Sequence, residues 1–236
     1  VRSRGLGDVY KRQGREHAIV KKLKENPAVE TIYCAPGNGG IAADAVCVPE
    51  IGAKDISAQV DFAKTHSIDF AVVAPDDPLV LGAVDALEAA GIPCFGPEAK
   101  AAIIEGSKVF SKDLMKKYGI PTAEYQVFTD AAAAMDYVKS CALPVVVKAD
   151  GLALGKGVLI AETREDAVAA VESIMLDRAF GDSGNQVVIE EFLTGPEVSV
   201  LAFTDGKTVV PMVSSMDHKR AHDHDEGLNT GGMGTV

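Results

Sequence analysis

From residue 14 onward the chain alternates short apolar runs with stretches of helical spacing. GREHAIVKKLKENP places Ala18, Ile19 and Leu23 on one face of an amphipathic helix. TIYCA (31–35), AVCV (45–48) and DFAVVA (69–74) are compact apolar segments of strand length, the signature of buried strands. Between and after them, residues 54–66 and 79–91 are spaced as helices, the second closed by Gly91-Ile92-Pro93. This alternation predicts an α/β fold that opens with a doubly wound, Rossmann-like parallel sheet. The first thirteen residues, VRSRGLGDVYKRQ, show neither a strand run nor a helical stripe and do not begin with Met. Residues 1–13 are therefore expected to be a leader foreign to the domain.

The pattern changes near residue 107. SKVFSKDLMKKYGIP (107–121) predicts a helix ended by Gly-Ile-Pro, followed by a strand near 125–128 and a helix over 130–141. Two β-branched runs, VVVKA and VLIA, then flank a glycine-rich loop, and a helix is predicted over 163–177. Strands are predicted at 186–192, 196–204 and 207–214, and the segment around 217–226 reads as a polar loop. Antiparallel strands mixed with helices predict a second, α+β module. The expected division is residues 14–107 and 108–236, with the boundary between 97 and 122.

Composition narrows the function classes. Of 236 residues, 34 are acidic and 23 basic, a formal charge of −11 with no basic block. That argues against nucleic-acid or anionic-membrane partners, but it leaves room for a small anionic substrate met by local cations. No apolar stretch is long enough to span a bilayer, and the opening has no signal-peptide h-region. Cys34, Cys47, Cys94 and Cys141 lie far apart with no C-x-x-C pair, which reads as reduced thiols in the cytoplasm. His218, His222 and His224 do not have a zinc spacing, and no metal ligands are expected within the chain. His17 and His66 read as helix-surface or capping residues.

The chemistry concentrates in VVVKADGLALGKGVLIA (145–161). Lys148 ends a strand, and Gly151, Gly155, Lys156 and Gly157 form the loop. This is not a P-loop, because no Ser or Thr follows the lysine and a strand, not a helix, comes next. Glycines let backbone close over a phosphate chain without a Cβ in the way; a plain surface hairpin would read the same. In VVIEEFLTGPEVSV (187–200), alternation puts Glu190 and Glu191 on opposite faces of one strand, where a carboxylate could accept from an adenine amine or ribose hydroxyls. Solvated acids on an edge strand are the alternative. Two lysines for phosphates and carboxylates for sugar and base together describe one nucleotide cleft.

GREHA, APGNGG, EGSKVFSKDLM, IPTAEY, VVVKADGLALGKGV, AFGD, VIEEFL, DHKR and NTGGMG occur in this order from Gly14 to about Gly234. In them the sequence resembles the phosphoribosylamine–glycine ligase (glycinamide ribonucleotide synthetase) family of ATP-grasp enzymes of purine synthesis. The resemblance implies an N-terminal substrate-binding domain followed by an ATP-grasp domain, with ATP and Mg²⁺ (or Mn²⁺) as cofactors. It implies glycine and phosphoribosylamine as substrates, a cytoplasmic location, and no particular oligomeric state. Lys108 and Lys148 would contact ATP phosphates under a lid formed by residues 151–157. Glu190 and the Leu193 backbone would face adenine, with Glu191 nearby, and Glu197 would take the ribose hydroxyls. Gly14, Arg15, Glu16, Gly37, Asn38 and Gly39 would help hold phosphoribosylamine. Asp217, His218, Lys219 and Arg220, with Asn229, Thr230, Gly231, Gly232, Met233 and Gly234, would line the acceptor and phosphate region. No side-chain nucleophile is implied.

The sequence departs from the family pattern in places. VYKRQ replaces the first strand and the leading Gly of the GGREHA loop, Asp76-Asp77 stand in a stretch that is usually Gly-Pro-Glu-like, and Leu228 replaces a Pro. The chain reads as an N-terminal fragment whose magnesium ligands lie beyond Val236, so by itself it is expected not to complete the reaction. Two other readings remain: an ATP-binding fragment without turnover, and another ATP-grasp carboxylate–amine ligase.

Overall fold

The computed structural model describes residues 3–8, 14–152 and 157–236. The N-terminal sheet is built from β1 (Ser3–Asp8), β2 (Val29–Ala35), β3 (Val46–Cys47), β4 (Phe70–Val73) and β5 (Cys94–Phe95). All pairs are parallel, in the order β3-β2-β1-β4-β5. Helices α1 (Gly14–Lys24), α2 (Ile56–Thr65), α3 (Asp76–Val80) and α4 (Ala83–Ala89) connect the strands. Asp55 caps α2 by accepting from the Ala58 N–H at 3.0 Å, the local signal that starts this helix. The expected helix over 79–91 is split, because Gly82 takes a left-handed conformation (φ 85°) between α3 and α4.

The strand-free reading of the opening residues is corrected by β1. It occupies the centre of the sheet, with β2 paired on one side and β4 on the other. SRGLGD holds one apolar residue, so its pattern is silent. The strand is defined by backbone groups that both neighbours need to satisfy. Residues 9–13 lie outside the described residues.

The second half carries an antiparallel four-stranded sheet of β6 (Tyr125–Phe128), β7 (Val145–Ala149), β8 (Val158–Ala161) and β9 (Val187–Glu191), ordered β6-β9-β7-β8. Strand alternation sorts its two faces. Val145, Val147, Ala149, Val187 and Ile189 pack into one core with helices α7 (Ala131–Val138) and α8 (Arg164–Val171). Burial of a side chain such as Val147 stabilises the fold by about 1.5–3 kcal/mol. Lys148, Val188 and Glu190 point the other way, towards α6 (Lys108–Tyr118), which follows α5 (Ala99–Gly106).

Beyond β9 the expected strands shorten to β10 (Ala202–Thr204) and β11 (Val209–Pro211), an antiparallel pair with exposed faces. The predicted polar loop is also corrected. Residues 217–235 form a hairpin of β12 (Asp217–His222) and β13 (Glu226–Thr235), joined by a turn at Asp223–Asp225. These strands are polar and lie outside the main sheets, so they carry no apolar alternation to read.

Candidate nucleotide site

Cross-strand register builds the site. Lys148 lies opposite Val188, and Val146 opposite Glu190, so Lys148 and Glu190 are diagonal neighbours on one face. Their side chains form an ion pair. Glu190 is buried, and its second oxygen lies 2.6 Å from Lys112 Nζ. Among the described residues, that oxygen accepts no hydrogen bond beyond this ion-pair contact. A buried carboxylate oxygen with spare accepting capacity fits an exocyclic amine of a base.

Lys112 is itself buried. It donates to Thr122 Oγ1 at 2.7 Å and to the Ala123 carbonyl at 3.4 Å, and lies over the Tyr125 ring. It was not among the residues singled out from the sequence. Its signal was the four-residue spacing from Lys108, which puts both on one side of α6.

Lys108, Ser111, Lys112 and Met115 of α6 face Lys148, Val188 and Glu190 across a cavity of about 660 Å³. This is a volume typical of cofactor and nucleotide pockets. Lys108 donates to the Gly151 carbonyl at 2.7 Å, a neutral partner, at the foot of the glycine-rich hairpin. Burial is the main cause holding the Lys108 pKa below its ordinary value, with Asp150 opposing it. A cation desolvated in this way gains from an arriving phosphate. Leu193 lines the same cavity, whereas Glu191 does not. Glu191 is exposed and accepts from the Glu124 N–H at 3.1 Å, so strand alternation puts it outside the site. Gly155 and Lys156 lie outside the described residues.

A second cavity of about 970 Å³ meets the first at Lys148 and Val158, and gathers Glu197, Asp217, His218 and Met233. Arg220 pairs with Asn229, and His218 with Gly234, across the β12–β13 hairpin. The side chains of Arg15, Lys219, Arg220 and Asn229, and residues Gly231 and Gly232 beyond their backbone, lie outside those described. Among the described residues, no group of three or more His, Cys, Asp or Glu side chains could hold a metal ion. The Mg²⁺ implied by the resemblance therefore has no such cluster to hold it among the described residues.

A third cluster sits at the carboxyl end of the parallel sheet, where open α/β sheets bind ligands. Gly14, Arg15 and Glu16 form the first turn of α1, and Glu16 is buried. Asn38 Oδ1 accepts from the Gly40 and Ile41 N–H groups at 2.8 and 2.9 Å. Gly37 has φ 76°, and a Cβ there would lie 2.4 Å from Cys47 Sγ, so only glycine fits the turn. His17, on α1, has its Nε2 2.8 Å from Asp44 Oδ2, within hydrogen-bonding distance. His66 ends α2, its Nδ1 3.0 Å from the Phe62 carbonyl.

Hydrogen bonds from Lys24 and then His17 hold the Asp44 carboxyl at a pKa of about 2, below its ordinary 3.8. A depressed acid contributes stability that is complete above its unfolded value and is lost as pH falls through the folded one. An NMR titration of Asp44 should therefore have its midpoint near 2; one near 3.8 would contradict the pairing.

Gly151 carries a related prediction. Its φ is 101°, and a Cβ would lie 2.8 Å from Ser183 Oγ. Gly151→Ala should cost on the order of 1–2 kcal/mol in denaturant unfolding; an unchanged midpoint would contradict the conformation.

Two lysines and a buried glutamate facing one cavity between a helix and an antiparallel sheet are the layout of an ATP-grasp domain. Residues 106–236 match the family model for the phosphoribosylglycinamide synthetase ATP-grasp (A) domain, and residues 9–105 match the model for its N domain. The chain belongs to the phosphoribosylglycinamide synthetase family. It is 53% identical over 221 residues to phosphoribosylamine–glycine ligase of Listeria monocytogenes serotype 4b, covering 94% of this chain and 53% of that protein. The crystal structure of phosphoribosylamine–glycine ligase from Thermotoga maritima superposes with a TM-score of 0.80 at 34% identity, covering 100% of this chain and 55% of that one. The biotin carboxylase domain of Hydrogenobacter thermophilus 2-oxoglutarate carboxylase, solved with MgADP, ADP and bicarbonate, shares the fold with a TM-score of 0.74. At 18% identity, over 92% of this chain and 51% of that one, the likeness is one of fold. The chain spans about half the length of the curated relatives it matches. Among the described residues, no helix is long and apolar enough to cross a membrane.

Proposed function

We propose that the protein is an ATP-dependent ligase that joins glycine to 5-phosphoribosylamine, giving glycinamide ribonucleotide, ADP and phosphate. The observation that carries this reading is the cavity in which Lys108, Lys148 and Glu190 converge. It sits in a chain more than half identical to a phosphoribosylamine–glycine ligase. ATP is the nucleotide, with its phosphates towards Lys108 and Lys148, adenine towards Glu190 and Leu193, and ribose towards Glu197. Glycine and phosphoribosylamine take the second cavity and the cluster at the end of the parallel sheet, around residues 14–16 and 37–39. The functional division is 14–107 for the amine substrate and 108–236 for ATP. Free thiols at all four cysteines support a reducing, cytoplasmic setting.

The chemistry needs no nucleophilic side chain. A carboxylate is a poor acyl donor, so its oxygen takes the γ-phosphoryl group of ATP and ADP leaves. The amine of phosphoribosylamine then attacks the acyl carbon of the glycyl phosphate, and phosphate departs as the C–N bond forms. Lysine ammonium groups spread the transferring charge, and positioning supplies the remaining acceleration.

The test is an ADP-release assay on protein carrying this sequence at the length of its relatives, with ATP, Mg²⁺ and freshly made phosphoribosylamine. ADP formation should depend on glycine and should not be supported by bicarbonate. Bicarbonate-dependent turnover without glycine would overturn the reading in favour of a carboxylase-type ATP-grasp enzyme.

A further inference from the structure

Asp150, the acid at the foot of the glycine-rich hairpin, joins three separate pieces of chain. Its carboxylate accepts from Ser107 Oγ, at 3.1 Å to each oxygen, and from the Val109 N–H at 3.1 Å. It also accepts from Gln186 Nε2 at 2.6 Å, while its own N–H donates to the Gln186 carbonyl at 3.2 Å. Ser107 is the N-cap of α6 and accepts from the Phe110 N–H at 3.0 Å. Asp150 and Ser107 together therefore satisfy two of the backbone donors that a helix start leaves open. A negative charge at this end of α6 also suits the helix dipole.

The arrangement has a consequence for the nucleotide cavity. Lys108 is the first residue of α6, and its ammonium donates to the carbonyl of Gly151, the residue next to Asp150. Lys108 is thus held from both ends: its backbone by the capped helix start, its side chain by the hairpin foot. Both holds pass through residues 150–151. Lys148, two residues before Asp150, lies on the same strand end.

We infer that Asp150 is a positioning residue: its carboxylate ties the foot of the glycine-rich hairpin to the start of α6 and to Gln186, and thereby sets Lys108 and Lys148 at the spacing that receives a nucleotide's phosphates. The inference rests on the nucleotide reading proposed above. It requires the ionised carboxylate, because all three side-chain and backbone partners are donors. An asparagine would turn one donor against another, facing either Gln186 Nε2 or the α6 cap.

The test uses the chain with Asp150→Asn, and with the paired change Asp150→Asn/Gln186→Glu, in which a glutamate acceptor meets the asparagine amide. Two readouts separate the anchor from the nucleotide. Native-state hydrogen exchange at residues 107–110 and 149–152, without ligand, should be about tenfold faster in Asp150→Asn and restored in the paired variant. ADP affinity by calorimetry should fall about tenfold in Asp150→Asn and recover to within about twofold in the paired variant. Unchanged exchange in Asp150→Asn overturns the inference. So does faster exchange with unchanged ADP affinity, or a paired variant no better than the single one. If the unsubstituted chain binds no ADP, the nucleotide reading itself falls, while the exchange comparison still decides whether Asp150 anchors the hairpin foot.

Discussion

Replacing Glu190 with alanine should lower the unfolding free energy by about 3–5 kcal/mol, the cost of leaving buried charge without its partner. One carboxylate here answers two ammonium groups. Lys112 is buried 2.6 Å from one oxygen, and Lys148, three-quarters buried, pairs with the other. Removing the anion leaves both cations desolvated beside each other, and Lys112 keeps Thr122, Ala123 and the Tyr125 ring as partners. Urea unfolding of Glu190→Ala measures the loss. A companion substitution, Lys112→Met in the Glu190→Ala background, should recover part of it, since an apolar group of similar length removes one unpaired charge. A Glu190→Ala loss below about 1 kcal/mol would mean that the lysines find water or other partners, and would contradict the buried-triad geometry.

Lys148→Ala should weaken nucleotide binding by about 1.5–3 kcal/mol, tenfold to over a hundredfold, through loss of a charge-assisted hydrogen bond. Its effect on stability should be smaller than that of Glu190→Ala, because Glu190 keeps Lys112 as its partner. The two substitutions therefore separate folding from ligand binding. Lys148 is placed for this role where the two cavities meet. Lys156, outside the described residues, should matter less than Lys148 when each is replaced by alanine. Calorimetric titration with ADP on a folded Lys148→Ala chain checks the prediction, and unchanged affinity would reject the phosphate role.

The parts of this molecule that bury apolar residues in regular alternation were legible in the sequence. Alternation in VVIEE put Glu190 and Glu191 on opposite faces, and the expectation that Lys148 shares a cleft with Glu190 matches their ion pair. The strand at Ser3–Asp8 could not be read, because its evidence is backbone pairing on both edges and not apolar side chains. The β12–β13 hairpin escaped for a similar reason: its strands are polar and pair mainly with each other. Lys112 was hidden among the other basic residues of SKVFSKDLMKKY, where sequence cannot tell a solvated lysine from one aimed inward. Asp150 sits in a glycine-rich loop, where an acid reads as an ordinary polar turn residue. Its partners Ser107 and Gln186 lie 43 and 36 residues away, so no local spacing announces the cluster.

The central claim is that the cavity between α6 and the β7–β9 face is the ATP site. The measurement that tests it most directly is a crystal structure of this chain with a non-hydrolysable ATP analogue. The account predicts adenine beside Glu190 and Leu193, and phosphate oxygens within hydrogen-bonding distance of Lys108 and Lys148. An analogue bound elsewhere, with the Lys108–Glu190 cavity empty, would contradict it.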